Sequence, residues 1–301
     1  MRFEQITVID NTRLTEQGLS ALQNFSVKPV IHYEDFPDSE QETLNRIAQS
    51  DCILVSWKTP VSEHVLINAV NLRYIGMCCS LYDPSSSNVD VLTAERLGIT
   101  VKAVRDYGDE GVVEFIFAQL IMFFKGLGPK KWQNQPTELS SKSIGIIGLG
   151  TLGKMVAVTA KSFGMDVYYS GRSEKPEAEL LGIKMLPLKT LLEFCDIVTI
   201  HIPRNSLVLD QSLFTYKKKK SVLINTSLGQ PFEETALLDW LANDPDSLGI
   251  FDADGAGKLY DKLSALNNVI LYPISAGFTE ESGRRLTEKA ANNIREYLSM
   301  F

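Results

Sequence analysis

Residues Ser143 to Ala157, SIGIIGLGTLGKMVA, constrain this chain more than any other stretch. An apolar run of strand character meets Gly148, Gly150 and Gly153, and the chain continues at once with helical spacing. Leu152, Met155, Val156, Ala160 and Phe163 give that helix a face to bury. Strand, tight turn and helix in immediate succession open a βαβ unit, so a parallel sheet is expected. The first glycine permits the turn. The second lets a ligand approach the backbone, and the third lets the helix pack against the strand. A helix starting there offers unspent amides and the positive end of its dipole to an anion. In this context the turn reads as a dinucleotide pyrophosphate cradle, with Gly148, Gly150, Thr151, Leu152 and Gly153 as contacts.

The rest of the chain repeats the alternation. Strand-like runs occur at Ile6 to Asp10, Cys52 to Trp57 and Tyr74 to Cys78, with another starting at Gly98 to Val101. Glu40 to Ser50 and Val112 to Phe124 have helical character, and residues 126–136 read as a loop rich in Gly, Pro and Lys. Further strands are expected at Ser143 to Gly148, Asp166 to Ser170, Asp196 to Ile202, Ser221 to Thr226, Gly249 to Ala253 and Val269 to Tyr272. Together they suffice for a doubly wound α/β sheet. Thr279 to Phe301 reads as a final helix, with Leu286, Ala290, Ile294 and Leu298 at four-residue steps. Lys217 to Lys220 reads as a solvated turn.

Charge and composition remove several function classes. The net charge of -7 argues against a nucleic-acid or anionic-membrane binder. The most apolar stretch, Val112 to Phe124, is too short to span a bilayer and contains Glu114 and Gln119. With no targeting pattern at Met1, a cytoplasmic protein is expected. Cys52, Cys78, Cys79 and Cys195 have no metal-ligand spacing and read as reduced thiols, so no metal is expected. Asp254 to Lys258, DGAGK, lacks the first glycine and the Ser/Thr of a phosphate loop.

The second strand of the dinucleotide unit ends in Ser170-Gly171-Arg172-Ser173, with Lys175 beyond. An NAD enzyme places a carboxylate here for the adenosine ribose. No acid stands there to repel a 2′-phosphate, and Arg172 can pair with one, so NADP is favoured over NAD. The competing view is that Arg172 stacks on the adenine.

Across nearly its whole length the sequence resembles the D-isomer-specific 2-hydroxyacid dehydrogenases, especially the glycerate/hydroxypyruvate reductase branch. The resemblance is carried by Trp57 to Leu66, Asn88 to Val104, Tyr107 to Phe115, His201-Ile202-Pro203 and Asn225-Thr226-Ser227. It implies two Rossmann-like α/β domains, with the cofactor domain (100–279) inserted into a discontinuous substrate domain (1–99 and 280–301). It also implies cofactor contacts from Ile202, Pro203, Thr226 and Asp252, a substrate cleft, and a homodimer through the Val112 to Phe124 helix.

The family's chemistry rests on an arginine that clamps the substrate carboxylate, a histidine that moves the hydroxyl proton, and a glutamate that orients the histidine. By the resemblance these positions are Leu228, Ile274 and Gly257. No histidine follows His201, so no shift of register restores one. The glycine turn that presents amides to the carboxylate is replaced by Ser80-Leu81-Tyr82 and an insertion at Pro84 to Ser87. Leucine cannot hold a carboxylate bidentately, and isoleucine cannot move a proton. The cleft would be apolar, lined by Leu81, Leu228, Ile274 and Phe278.

Two functions compete. One is a diverged oxidoreductase whose substrate, such as a cationic imine or a conjugated enone, needs less proton donation. Tyr82, Tyr107 and Asp254 are then candidate donors, each with a plain alternative as a packing tyrosine or a solvated acid. The other is a pseudoenzyme that senses dinucleotide or serves as a scaffold. An unmodified 2-hydroxyacid dehydrogenase is a remote third.

Overall fold

Short runs of β-branched and aliphatic residues, separated by helical segments, build two sheets in which every described strand pairing is parallel. The computed structural model describes residues 1–204 and 206–301. The chain divides into two units. One is Met1–Tyr107 with Thr279–Phe301, and the other is Gly108–Phe278, inserted within it.

The first unit begins β1 (Ile6–Val8), α1 (Glu16–Leu22), β2 (Ile31–His32), α2 (Glu40–Ile47) and β3 (Cys52–Val55). It continues with α3 (Glu63–Asn68), β4 (Tyr74–Met77), α4 (Val91–Arg96) and β5 (Thr100–Ala103). Its sheet order is β2-β1-β3-β4-β5, with the winding reversing between β1 and β3. Alternation along the strands feeds two cores. Ile6, Val8, Cys52, Leu54 and Tyr74 face one side, and Ile53, Val55, Ile75 and Met77 face the other.

The inserted unit begins with α5 (Asp109–Lys125), which ends on Gly126 at φ 67. Then follow β6 (Ser143–Ile147), α6 (Thr151–Ser162), β7 (Asp166–Ser170), α7 (Pro176–Glu179) and β8 (Lys184–Met185). Next are α8 (Leu188–Phe194), β9 (Ile197–Ile200), α9 (Gln211–Phe214), β10 (Val222–Asn225) and α10 (Glu234–Asn243). The unit closes with β11 (Leu248–Phe251), α11 (Ala253–Ala256), α12 (Tyr260–Ser264) and β12 (Val269–Leu271). The order is β12-β11-β10-β9-β6-β7-β8, so the winding reverses between β6 and β9. The chain then returns to the first unit as α13 (Glu280–Leu298). A reciprocal capping box between Thr279 and Ser282 starts this helix, and Leu286, Ala290, Ile294 and Leu298 are its buried stripe.

Several expectations needed correction. The strand at Thr100–Ala103 pairs with β4, so the chain leaves the first unit after Tyr107 rather than at residue 99. β2 and β8 are two-residue edge strands, too short to produce a period. β11 stops at Phe251 because the Asp252 side chain caps the next helix. Phe163 is 40% exposed rather than buried, although it stacks on Phe117 at 5.3 Å. Lys217 is not solvated. It is 6% exposed, with its Nζ 2.6 Å from Ser221 Oγ and 5.4 Å from the Trp240 ring. All four cysteines are free and buried. Among the described residues no helix is long and apolar enough to cross a membrane.

Candidate functional site

The site of the inserted unit forms where the carboxyl ends of β6, β9, β10 and β11 lie side by side. Gly148 follows β6 at φ +94, a conformation that disfavours any side chain. A Cβ on it would stand 2.2 Å from the carbonyl oxygen of His201 and 2.9 Å from Ile202 Cγ2. A Cβ on Gly153 would stand 2.1 Å from the Gly148 carbonyl oxygen. These two glycines let the turn, the helix and the end of β9 close on one another.

Gly150 differs. It is exposed, and a Cβ on it would meet nothing within 4 Å. It is the N-cap of α6, has no side chain to offer the helix amides, and is followed by a first turn without acids. Thr151 is exposed, and Leu152 is partly buried against the core. The turn is therefore tight beneath and open above, and no side chain caps the first amides of α6. That arrangement fits a pyrophosphate.

Beside it, Gly148 N donates to the Ser170 carbonyl at 2.9 Å and joins the turn to the end of β7. Gly171, Arg172 and Ser173 follow, all exposed. Arg172 makes no hydrogen bond or ion pair among the described residues. Ile202 and Pro203, after β9, are partly buried.

The loop after β10 is tied down by its own side chains. Asn225 Nδ2 donates to the Gly255 carbonyl at 2.9 Å, and Ser227 Oγ donates to the Ile200 carbonyl at 2.8 Å. Among the described residues, Thr226 Oγ1 and His201 Nδ1 are buried here without a hydrogen-bond partner. The other ring nitrogen of His201 lies 3.0 Å from Thr199 Oγ1. Burial pushes the imidazole down to about 3, so it is neutral across ordinary pH.

Asp252 is 1% exposed. Its two carboxyl oxygens accept from Gly255 N and Ala276 N, both at 2.7 Å. Burial raises its pKa to about 7 against the pull of those amides. Both oxygens are thus committed to holding the loops after β11 and β12.

The three positions that the resemblance assigns to arginine, glutamate and histidine lie close to this edge. Leu228 is partly buried, three residues beyond β10. Gly257 caps α11 at φ +50. Ile274 follows β12 and is 46% exposed. Asp254 is partly buried within α11. Tyr82 and Tyr107 belong to the first unit. Tyr82 lies over the Arg105 guanidinium at 5.1 Å, and the Tyr107 carbonyl accepts from Arg285 Nε at 2.8 Å.

Two residues of this unit escaped the sequence. Lys217 was hidden in a lysine run. The Tyr169 hydroxyl bonds the backbone of Lys175, a link that strand alternation does not announce.

Residues 122–276, just over half of the chain, match the D-isomer specific 2-hydroxyacid dehydrogenase, NAD binding domain. The chain is 28% identical to a glyoxylate reductase of Korarchaeum cryptofilum over 306 residues, covering 93% of this chain and 89% of that protein. It is similar to a solved acyclic imino acid reductase in complex with NADPH and D-Arg. The TM-score is 0.84 at 27% identity, covering 98% of this chain and 97% of that one. The fold is also that of a cofactor (NAD+) bound 3-phosphoglycerate dehydrogenase of Entamoeba histolytica, with a TM-score of 0.81 at 21% identity over 99% of this chain and 96% of that one. The glycine cradle and these similarities together make the chain a member of the D-isomer specific 2-hydroxyacid dehydrogenase family, with a nicotinamide dinucleotide as its cofactor.

Proposed function

We propose that this chain is an NADP(H)-dependent reductase of a carbon–nitrogen double bond in a small amino-acid-like substrate, not a reductase of ordinary 2-keto acids. The observation that carries the proposal is the side-chain chemistry at Leu228, Gly257 and Ile274. None of the three supplies a cation, an acid or a base. Bound at the glycine turn, the dinucleotide would supply hydride. Reducing a ketone to an alcohol consumes a hydride and a proton, and the proton must come from a positioned acid. A protonated imine already carries its proton on nitrogen, so hydride alone completes the neutral amine. Leu228 and Ile274 would then shield the reacting carbon from water and leave proton delivery to the substrate.

The similarity to an acyclic imino acid reductase supports this choice among the substrates that avoid a protein acid. That protein was solved with NADPH, and Arg172 in a strand tip, Ser170 to Ser173, that itself contains no acid supports the same cofactor here, the first acid being Glu174 beyond it. The same three residues also suit a non-catalytic dinucleotide sensor or scaffold.

The test is NADPH oxidation with 2-imino acids generated in the cuvette by an amino acid oxidase, beside glyoxylate, hydroxypyruvate and pyruvate. Each matching keto acid with ammonium serves as control. Turnover dependent on the imine supports the proposal. Fast turnover of the keto acids overturns it. NADPH binding without turnover of either class overturns it in favour of the sensor.

A further inference from the structure

The segment from Gly171 to Lys175 follows β7, and both of its ends are fixed within the inserted unit. At the near end the Ser170 carbonyl accepts from Gly148 N at 2.9 Å, which ties the segment to the glycine turn. At the far end the Lys175 backbone N–H donates to the Tyr169 hydroxyl at 2.7 Å. Tyr169 is fully buried on β7 and belongs to the same buried core cluster as Val156, Ala160 and Ala178. Lys175 is also the N-cap of α7, and its carbonyl accepts from Ala178 N at 2.8 Å. One hydroxyl thus closes a loop between the last turn of the strand and the first turn of the helix.

Among the described residues, the side chains inside the loop make no hydrogen bond or ion pair. Gly171, Arg172, Ser173 and Glu174 are exposed, and a Cβ on Gly171 would meet nothing within 4 Å. The acid that opens α7, Glu177, is engaged by Lys154 of α6 at 2.8 Å. That ion pair holds the Glu177 carboxyl below the usual carboxylate range. A guanidinium with no partner among the described residues, carried on a loop closed at both ends, is prepared for an anion.

We propose that Tyr169 is a positioning residue for cofactor choice, its hydroxyl setting the loop that presents Arg172 to the 2′-phosphate of NADP(H). The proposal rests on the assignment of NADP and deepens it. Without the hydroxyl the loop keeps its residues but loses its closure. The cost of ordering Arg172 then falls on each binding event. NADH has no 2′-phosphate and does not draw on that preorganisation.

Dissociation constants for NADPH and NADH, measured by fluorescence titration, test this on the full chain, Tyr169→Phe, Arg172→Ala and the double variant. Phenylalanine keeps the buried ring, and NADH affinity reports on the integrity of the unit. Tyr169→Phe should weaken NADPH roughly fivefold more than NADH, the effect of one net hydrogen bond. In the Arg172→Ala background it should have no further NADPH-specific effect, because the two residues act as one device. If Arg172→Ala is selective for NADPH while Tyr169→Phe affects both cofactors equally, Tyr169 is only a packing residue and the proposal is overturned. If Arg172→Ala itself affects both equally, the NADP assignment falls and the proposal falls with it.

Discussion

The carbonyl oxygen of His201 stands 2.2 Å from the point that a Cβ on Gly148 would occupy. The end of β9 and the turn after β6 therefore meet backbone to backbone at the switch point of the sheet, leaving no room for a side chain. Gly148→Ala combines this clash with a left-handed backbone. It should lower stability by about 2–4 kcal/mol, read as a fall in the denaturation midpoint.

Gly150 makes the opposite prediction, since its Cβ position is open. Gly150→Trp should leave the melting temperature nearly unchanged and abolish dinucleotide binding. Unchanged affinity would contradict placing the pyrophosphate on this turn.

Asp252 joins two loops through one carboxylate. Asp252→Ala leaves two amides without acceptors beneath the site. Each orphaned buried donor costs about 1–3 kcal/mol, so a loss of about 2–6 kcal/mol is expected in urea denaturation. Dinucleotide affinity should fall too, because the ends of β11 and β12 are no longer held together.

Which features were legible follows from what each side chain or backbone contact does. Gly148 and Gly153 stand out in the sequence because backbone atoms lie within 2.2 Å of any Cβ there, and residue type alone records that. Helix α13 was legible because four-residue spacing is the direct image of a buried stripe. Lys217 was not legible. Its neighbours are also lysines, and only the fold turns it toward Ser221 and Trp240. Asp252 was expected at the site only through the resemblance, and its role as a helix cap was not legible, since its strand and its helix abut without a turn signal. The Tyr169–Lys175 link was invisible because a buried strand tyrosine normally signals packing alone.

Lys217 makes stability depend on pH. Burial lowers its pKa from 10.5 to about 7 in the folded chain. Between those values the unfolded chain binds the additional proton, so stability rises with pH through that window. The penalty is complete below about pH 7. Lys217→Met should therefore be more stable than the parent at pH 6, by on the order of 3 kcal/mol, with the advantage shrinking toward pH 10. Urea midpoints across that range check the sign.

His201 works at the acid end in the same sense. Its folded value near 3 lies below the ordinary 6.5, so stability is retained above pH 6.5 and drains as pH falls toward 3. His201→Gln should unfold at lower pH than the parent in an acid titration followed by circular dichroism. An unchanged acid midpoint would mean that the imidazole is hydrated in solution.

Under the proposed function, proton delivery has left the protein at Leu228, Gly257 and Ile274 and passed to the substrate. The quantity that reads this out is kcat/KM for NADPH oxidation with a 2-imino acid relative to the keto acid of the same side chain. A lost general acid is worth roughly 100-fold or more, so the ratio should favour the imine by at least about that factor. A keto acid reduced as fast as its imine would mean that the protein still delivers the proton.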